Sequence, residues 1–255
     1  MEAIIERIND YVRTIVQGWD TIDTVTVLRF GTDRFDPSFF ISYDLYYHGV
    51  YPKRRERSEA FSDVSMFEAS VDDRKDRFLF EEIPIRMEYK AITDVDLVVS
   101  KARNPEKSDV LGTTYGLYRL VTADPVLQRS TWLTVVRRTL GNLPEAFWSR
   151  RVDVLRAHME HALSDLTSAV FADEPLFYQL SLARFLETAC NLLLAVNRRF
   201  EPAGRGLRAA ISELPTVPEE FESRLEFLLG RDPSMKRTRK REVAELIAKS
   251  ILRIS

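Results

Sequence analysis

Hydrophobic positions recur at helical spacing across the first seventeen residues, through Ile4, Ile8, Tyr11, Val12 and Ile15, and Gly18 follows as a stop. The period then changes. Val25–Phe30, Phe39–Tyr47, Ile83–Tyr89 and Tyr115–Val121 are rich in β-branched and aromatic residues, several are bounded by turn residues, and they predict strands. Two charged stretches between them, Lys53–Arg57 and Asp72–Arg77, read as solvated connections, and residues 91–101 predict a helix joining two strands. From about residue 126 the β pattern stops. Val126–Thr139 predicts a helix, Pro144 stands where a first-turn proline is tolerated, and residues 145–171 keep an apolar stripe through Phe147, Val154, Leu155, His158, Ala162, Leu166 and Val170. A second long helix is predicted from about Pro175 to Asn197, with shorter ones near 205–213, 218–229 and 239–253.

This succession predicts an α+β chain, with a mixed-sheet head over residues 1–125 and an all-α helical bundle over residues 126–255. The 255 residues are enough for two domains of ordinary size. A formal charge of −2 gives no global push toward nucleic acid or membrane. No apolar run approaches the roughly 20 residues of a spanning helix, and the N-terminus carries acids where a secretory leader would carry a basic start. Cys190 is the single cysteine, which excludes an internal disulfide framework and a multi-cysteine zinc site; in an apolar helix it reads as a reduced core thiol. The expectation is a soluble, cytoplasmic, bacterial-type protein. Its oligomeric state is not legible.

The chemistry concentrates in Phe30-Gly31-Thr32, followed after eleven residues by Asp44-Leu45-Tyr46. Successive side chains on a strand alternate faces. Phe39, Ile41, Tyr43, Leu45 and Tyr47 therefore share one face, and Phe40, Ser42, Asp44 and Tyr46 share the other. In the later run Ile83, Ile85, Met87 and Tyr89 point one way, and Pro84, Arg86, Glu88 and Lys90 the other. If the two strands are neighbours, Asp44 and Glu88 meet on one face, and paired carboxylates suit a hard cation such as Mg²⁺. Arg86 and Lys90 also flank Glu88 and offer it a plain ion pair.

These residues resemble the nucleotidyltransferase superfamily with the polymerase-β-like palm. Its motif is a hydrophobic residue, Gly, then Gly or Ser, a short spacer, and Asp-hydrophobic-Asp, with a third acid from a later strand. By that resemblance Gly31 and Thr32 form the glycine turn that positions nucleotide phosphates, Asp44 is the first motif acid, and Glu88 is the third carboxylate. Asp44 and Glu88 would then be catalytic and hold Mg²⁺, with Tyr46, Arg198 and Arg205 on the nucleotide. Tyr46 stands where the second Asp belongs, and a phenol is a poor Mg²⁺ ligand because it is neutral at pH 7; Asp33 and Asp36 are nearby acids. Asn197-Arg198-Arg199-Phe200-Glu201-Pro202-Ala203-Gly204-Arg205 resembles a signature of two-domain proteins that pair this head with a helical substrate-binding domain, as in kanamycin nucleotidyltransferase and its relatives.

The resemblance implies transfer of a nucleoside monophosphate from NTP to a hydroxyl of a small molecule or protein, with Mg²⁺. The first alternative is a catalytically degenerate member that binds nucleotide or a partner, and Tyr46 is the residue favouring it. The second is an antitoxin-like interaction module or weak nucleic-acid binder using the basic C-terminal helix, where Lys236, Arg237, Arg239, Lys240 and Arg241 cluster. That helix also carries a packing stripe through Val243, Leu246, Ile247 and Ile251. His158, His161 and Asp165 stand at helical spacings compatible with metal ligands, without an HExxH pattern.

Overall fold

A computed structural model of the chain describes residues 2–31, 36, 39–71, 73–104, 112–230 and 235–255. The contacts divide it into two units. One comprises residues 1–101 and 119–142, the other residues 102–118 and 143–255.

The first unit is built on a six-stranded mixed sheet of order β3-β4-β5-β2-β1-β6. The strands are β1 (Ile22–Phe30), β2 (Phe40–Tyr47), β3 (Ser65–Ala69), β4 (Lys75–Phe80), β5 (Ile83–Ala91) and β6 (Asp124–Gln128). Only β2 and β5 pair in parallel. Helix α1 (Glu2–Gln17) buries Ile5, Ile8, Val12 and Val16, and Gly18 ends it by donating to the Ile15 carbonyl at 3.1 Å. These side chains join Ile41, Tyr43, Leu45, Ile85, Met87 and Tyr89 in one core. Tyr43 fixes the α1 contact by donating to Asn9 at 2.7 Å. Both predicted alternation patterns are thus present. The opposite face of β2 is buried as well, and residues of α4 (Tyr115–Thr122) and α5 (Trp132–Leu140) cover it.

Four local expectations are corrected. Tyr115–Val121 is helical, not a strand: Leu117, Leu120 and Ala123 are buried at three-residue steps, and that burial overrides the β preference of the aromatic and β-branched residues. Residues 124–128, expected partly in a helix, form edge strand β6, where Pro125 is tolerated, and the helix begins only at Trp132. The Asp72–Arg77 connection contains the first half of β4, where Asp76 is buried, and Phe78, the next residue, is buried as well. Lys53–Arg57 runs into α2 (Arg54–Ala60) rather than a solvated loop, and Arg57 is fully buried. Its guanidinium donates to Asp76 Oδ2 at 2.8 Å and to the Pro52 carbonyl at 2.7 Å, and Tyr89 donates to Asp76 Oδ2 at 2.9 Å.

Helix α3 (Ile92–Arg103) follows β5 as expected. In the second unit α6 (Glu145–Phe171) and α7 (Pro175–Val196) pack as a helical hairpin. Glu174 caps α7 by accepting from Leu176 N at 3.1 Å and from Phe177 N, and Pro175 occupies the first turn. The buried stripe of α6 passes through Leu155, Met159, Ala162 and Leu166, so His158 lies outside it and is exposed. A 3-10 turn at Gly204–Gly206 leads into α8 (Leu207–Ser212), then α9 (Phe221–Leu229) and α10 (Arg237–Leu252). Val243, Ile247 and Ile251 of α10 enter the core shared with α6 and α7. No strand lies beyond residue 128 among the described residues, and no described helix is long and apolar enough to cross a membrane.

Candidate functional site

Asp44 and Glu88 are register partners across the parallel β2–β5 pair, so the two carboxylates share one sheet face. Tyr46 pairs with Lys90 on the same face, one step along both strands. Asp44 is wholly buried, and cations from the same unit surround it. Arg119, carried in by α4, donates from Nε to Asp44 Oδ2 at 2.6 Å and from Nη2 to Oδ1 at 2.8 Å. The same Nη2 reaches Ser42 Oγ at 2.9 Å. This is the two-pronged guanidinium–carboxylate geometry, the strongest of the ordinary ion pairs. Lys90 Nζ lies 3.0 Å from Asp44 Oδ1 and 3.4 Å from Glu88 Oε2, so one ammonium bridges the two acids. Glu88 is half-exposed and also meets Lys75 at 3.3 Å.

Tyr46 completes the face. Its hydroxyl donates to Asp44 Oδ2 at 3.3 Å, and its ring packs on Trp132 with centroids 4.9 Å apart. Burial first, and the negative charge of Asp44 second, hold the Tyr46 phenol well above the ordinary tyrosine value of 10.0. It is therefore a neutral donor at any physiological pH. Trp132 in turn donates to Asp96 at 2.8 Å.

The donor set does not fit the Mg²⁺ expected from Asp44 and Glu88. Mg²⁺ requires near-octahedral oxygen ligands at about 2.0–2.1 Å. Both Asp44 oxygens already accept from a guanidinium, and an ammonium occupies the space between the two carboxylates. An incoming dication would have to expel both cations from a buried pocket. Among the described residues no group of three or more His, Cys, Asp and Glu side chains is placed to hold a metal. That includes His158 and His161, which are exposed, and Asp165, which lies 3.8 Å from His161 and 3.6 Å from Arg184.

Gly31 directly follows β1 with φ of 94°, the left-handed region that glycine tolerates. A Cβ there would lie 3.3 Å from Phe39 Cδ2 and 3.4 Å from Phe39 Cα. The turn thus needs glycine for both its angle and its close approach. Asp36 accepts from Phe39 N through its carbonyl at 2.8 Å. Thr32 and Asp33 lie outside the described residues. Arg198 and Arg205 belong to the helical unit. Arg198 pairs with Glu145, and Arg205 is in the 3-10 turn. Asn197 closes α7, donating to Leu193 O and Thr216 O at 2.8 Å each. Four basic residues of α10 have partners within the helical unit, Arg237 with Asp173, Arg239 with Glu242, Arg241 with Glu245, and Lys240 with the Leu228 and Gly230 carbonyls.

Sequence reasoning missed Arg119 because its segment was read as a strand. One signal was available: a single arginine set among Leu117, Leu120 and Val121.

No protein-family model matches the chain, and no curated protein matches it. Among solved structures, the chain is similar to a nucleotidyltransferase-like protein from Exiguobacterium sibiricum 255-15, at 10% identity and a TM-score of 0.49, over 96% of this chain and 74% of that one.

Proposed function

We propose that this chain carries a nucleotidyltransferase-like head whose metal position is held by the protein's own cations, and that it binds nucleotide without transferring it. The observation that carries this reading is the Lys90 ammonium between Asp44 and Glu88, with Arg119 gripping both oxygens of Asp44. Tyr46 in the second acidic position agrees with it, because a neutral phenol adds no charge for a metal. The left-handed glycine turn directly after β1 stands where the phosphate turn is expected, and it supports nucleotide binding by its backbone conformation alone.

A second reading is active transfer of a nucleoside monophosphate to a hydroxyl acceptor with Mg²⁺. It is favoured by the register pairing of Asp44 with Glu88. Calorimetric titration of ATP with and without Mg²⁺, alongside a pyrophosphate-release assay with candidate acceptors, separates the two. The non-transferring reading expects the same ATP affinity in both conditions and no pyrophosphate. Pyrophosphate release that requires Mg²⁺ and is lost in Asp44→Asn would establish the enzymatic reading, and no ATP binding in either condition would remove the nucleotide from the proposal.

A further inference from the structure

The helical unit contains a cavity of about 480 Å³ framed by α7, α8 and α9, within the size range of small-molecule sites. Ala183, Glu187 and Asn191 follow one another at four-residue steps along α7, so they line it as one stripe. Leu207, Ile211 and Leu225 supply apolar wall.

The charges around this cavity are unevenly compensated. Glu201 lines it, but Arg151 holds one of its oxygens and Thr114 N donates to the other at 3.0 Å. Arg208 lines it and pairs with Glu226. The Glu187 carboxylate makes no hydrogen bond or ion pair with any other described residue, and the same holds for the Asn191 side-chain amide. Burial, reinforced by Glu187, pushes the neighbouring Cys190 thiol up to about 12, so the thiol stays neutral and adds no charge. Glu187 is exposed, so its carboxylate stays in reach of solvent at a cavity whose other charged lining residues, Glu201 and Arg208, are already paired.

We propose that this cavity binds an apolar primary amine, with its hydrocarbon body against Leu207, Ile211 and Leu225 and its ammonium on Glu187 and Asn191 Oδ1. Apolar area leaving water drives entry, and a charge-assisted hydrogen bond to an otherwise unpaired carboxylate selects the cation. An alcohol of the same body accepts the same position without the charge. A carboxylate of the same body sets like charge beside Glu187. The site lies entirely within the helical unit and stands whether or not the head binds nucleotide.

The test is calorimetry on the full chain with octylammonium, octanol and octanoate. Octylammonium binds about tenfold tighter than octanol, and octanoate gives no binding heat. Glu187→Gln brings the amine down to the affinity of the alcohol, and Ala183→Trp, which fills the cavity from an exposed position, removes both. Carbon-13 methyl shifts of Ile211 in the unsubstituted protein respond to octylammonium. Absence of heat with all three ligands, equal affinity for amine and carboxylate, amine affinity unchanged in Glu187→Gln, or a silent Ile211 methyl overturns the assignment.

Discussion

Asp44 meets Arg119 and Lys90 on one face of the sheet and Arg57 meets Asp76 and Asp73 on the other, so each of these buried charges lies beside a counter-charge. In the helical unit Arg151 and Glu201 follow the same rule, yet Glu187 lines a cavity with no such partner. The contrast separates charges that hold a fold from a charge left available to a ligand. A buried carboxylate on a strand looks like catalytic chemistry until its neighbours are known, and an exposed glutamate on a helix looks like solvent decoration until the space beside it is known.

The largest expected effect comes from breaking the first cluster. Arg119→Met leaves Asp44 buried with one cation fewer, and urea unfolding should show a loss of about 3–5 kcal/mol. Replacing both residues, Asp44→Leu with Arg119→Met, should recover much of that loss, because a buried pair exchanged for apolar side chains is often close to neutral. A loss below about 1 kcal/mol in the single variant would remove the distinction between the two kinds of charge.

Next is Cys190, which tests whether the cavity wall carries a second ionised group. Its thiol is raised from the ordinary 9.0 to about 12, so its thiolate fraction at pH 8 is about a thousandfold below that of a free thiol, and alkylation of the folded protein should be correspondingly slow. The sign for stability follows. The folded state keeps this proton through the window from about 9 to about 12 while the unfolded state releases it, so this group's contribution is full below that window and is lost as the pH rises through it. Cys190→Ala should flatten that part of the alkaline decline in a pH series of unfolding curves, and an unchanged slope would refute the assignment.

A smaller effect attends Gly31. Gly31→Ala meets both the left-handed angle and the Phe39 contact and should cost about 1–2 kcal/mol by thermal unfolding. The smallest belongs to the exposed pair Arg55–Glu59 on α2, which calibrates the others: Glu59→Ala should change stability by less than about 0.5 kcal/mol.

Much of the architecture was legible in the sequence. The helical period of α1, the two-residue alternation of β2 and β5, and the long apolar stripes of α6 and α7 are strong signals, because each buries one face of a regular element. The failures share a physical cause. β4 and α2 carry Asp76 and Arg57, which are buried as a pair and disguise core elements as charged loops. α4 carries aromatic and β-branched residues in a helix whose burial at three-residue steps decides its form. At the candidate site the Asp44–Glu88 juxtaposition followed from alternation once the strands were neighbours. The bidentate grip of Arg119, from a residue 75 positions away, had no local signature. The cavity beside Glu187 depends on how three helices pack, and no spacing within one segment encodes it.

The most direct test of the central claim is paramagnetic broadening of backbone amide signals by Mn²⁺ in the nitrogen-15-labelled protein, with and without ATP. With Lys90 and Arg119 standing in for the metal, the amides of Asp44 and Glu88 and their neighbours on β2 and β5 keep their intensity with Mn²⁺ alone, and any broadening seen with Mn²⁺ and ATP together is the same in Asp44→Asn as in the unsubstituted protein. Broadening centred on Asp44 and Glu88 that disappears in Asp44→Asn would contradict the account.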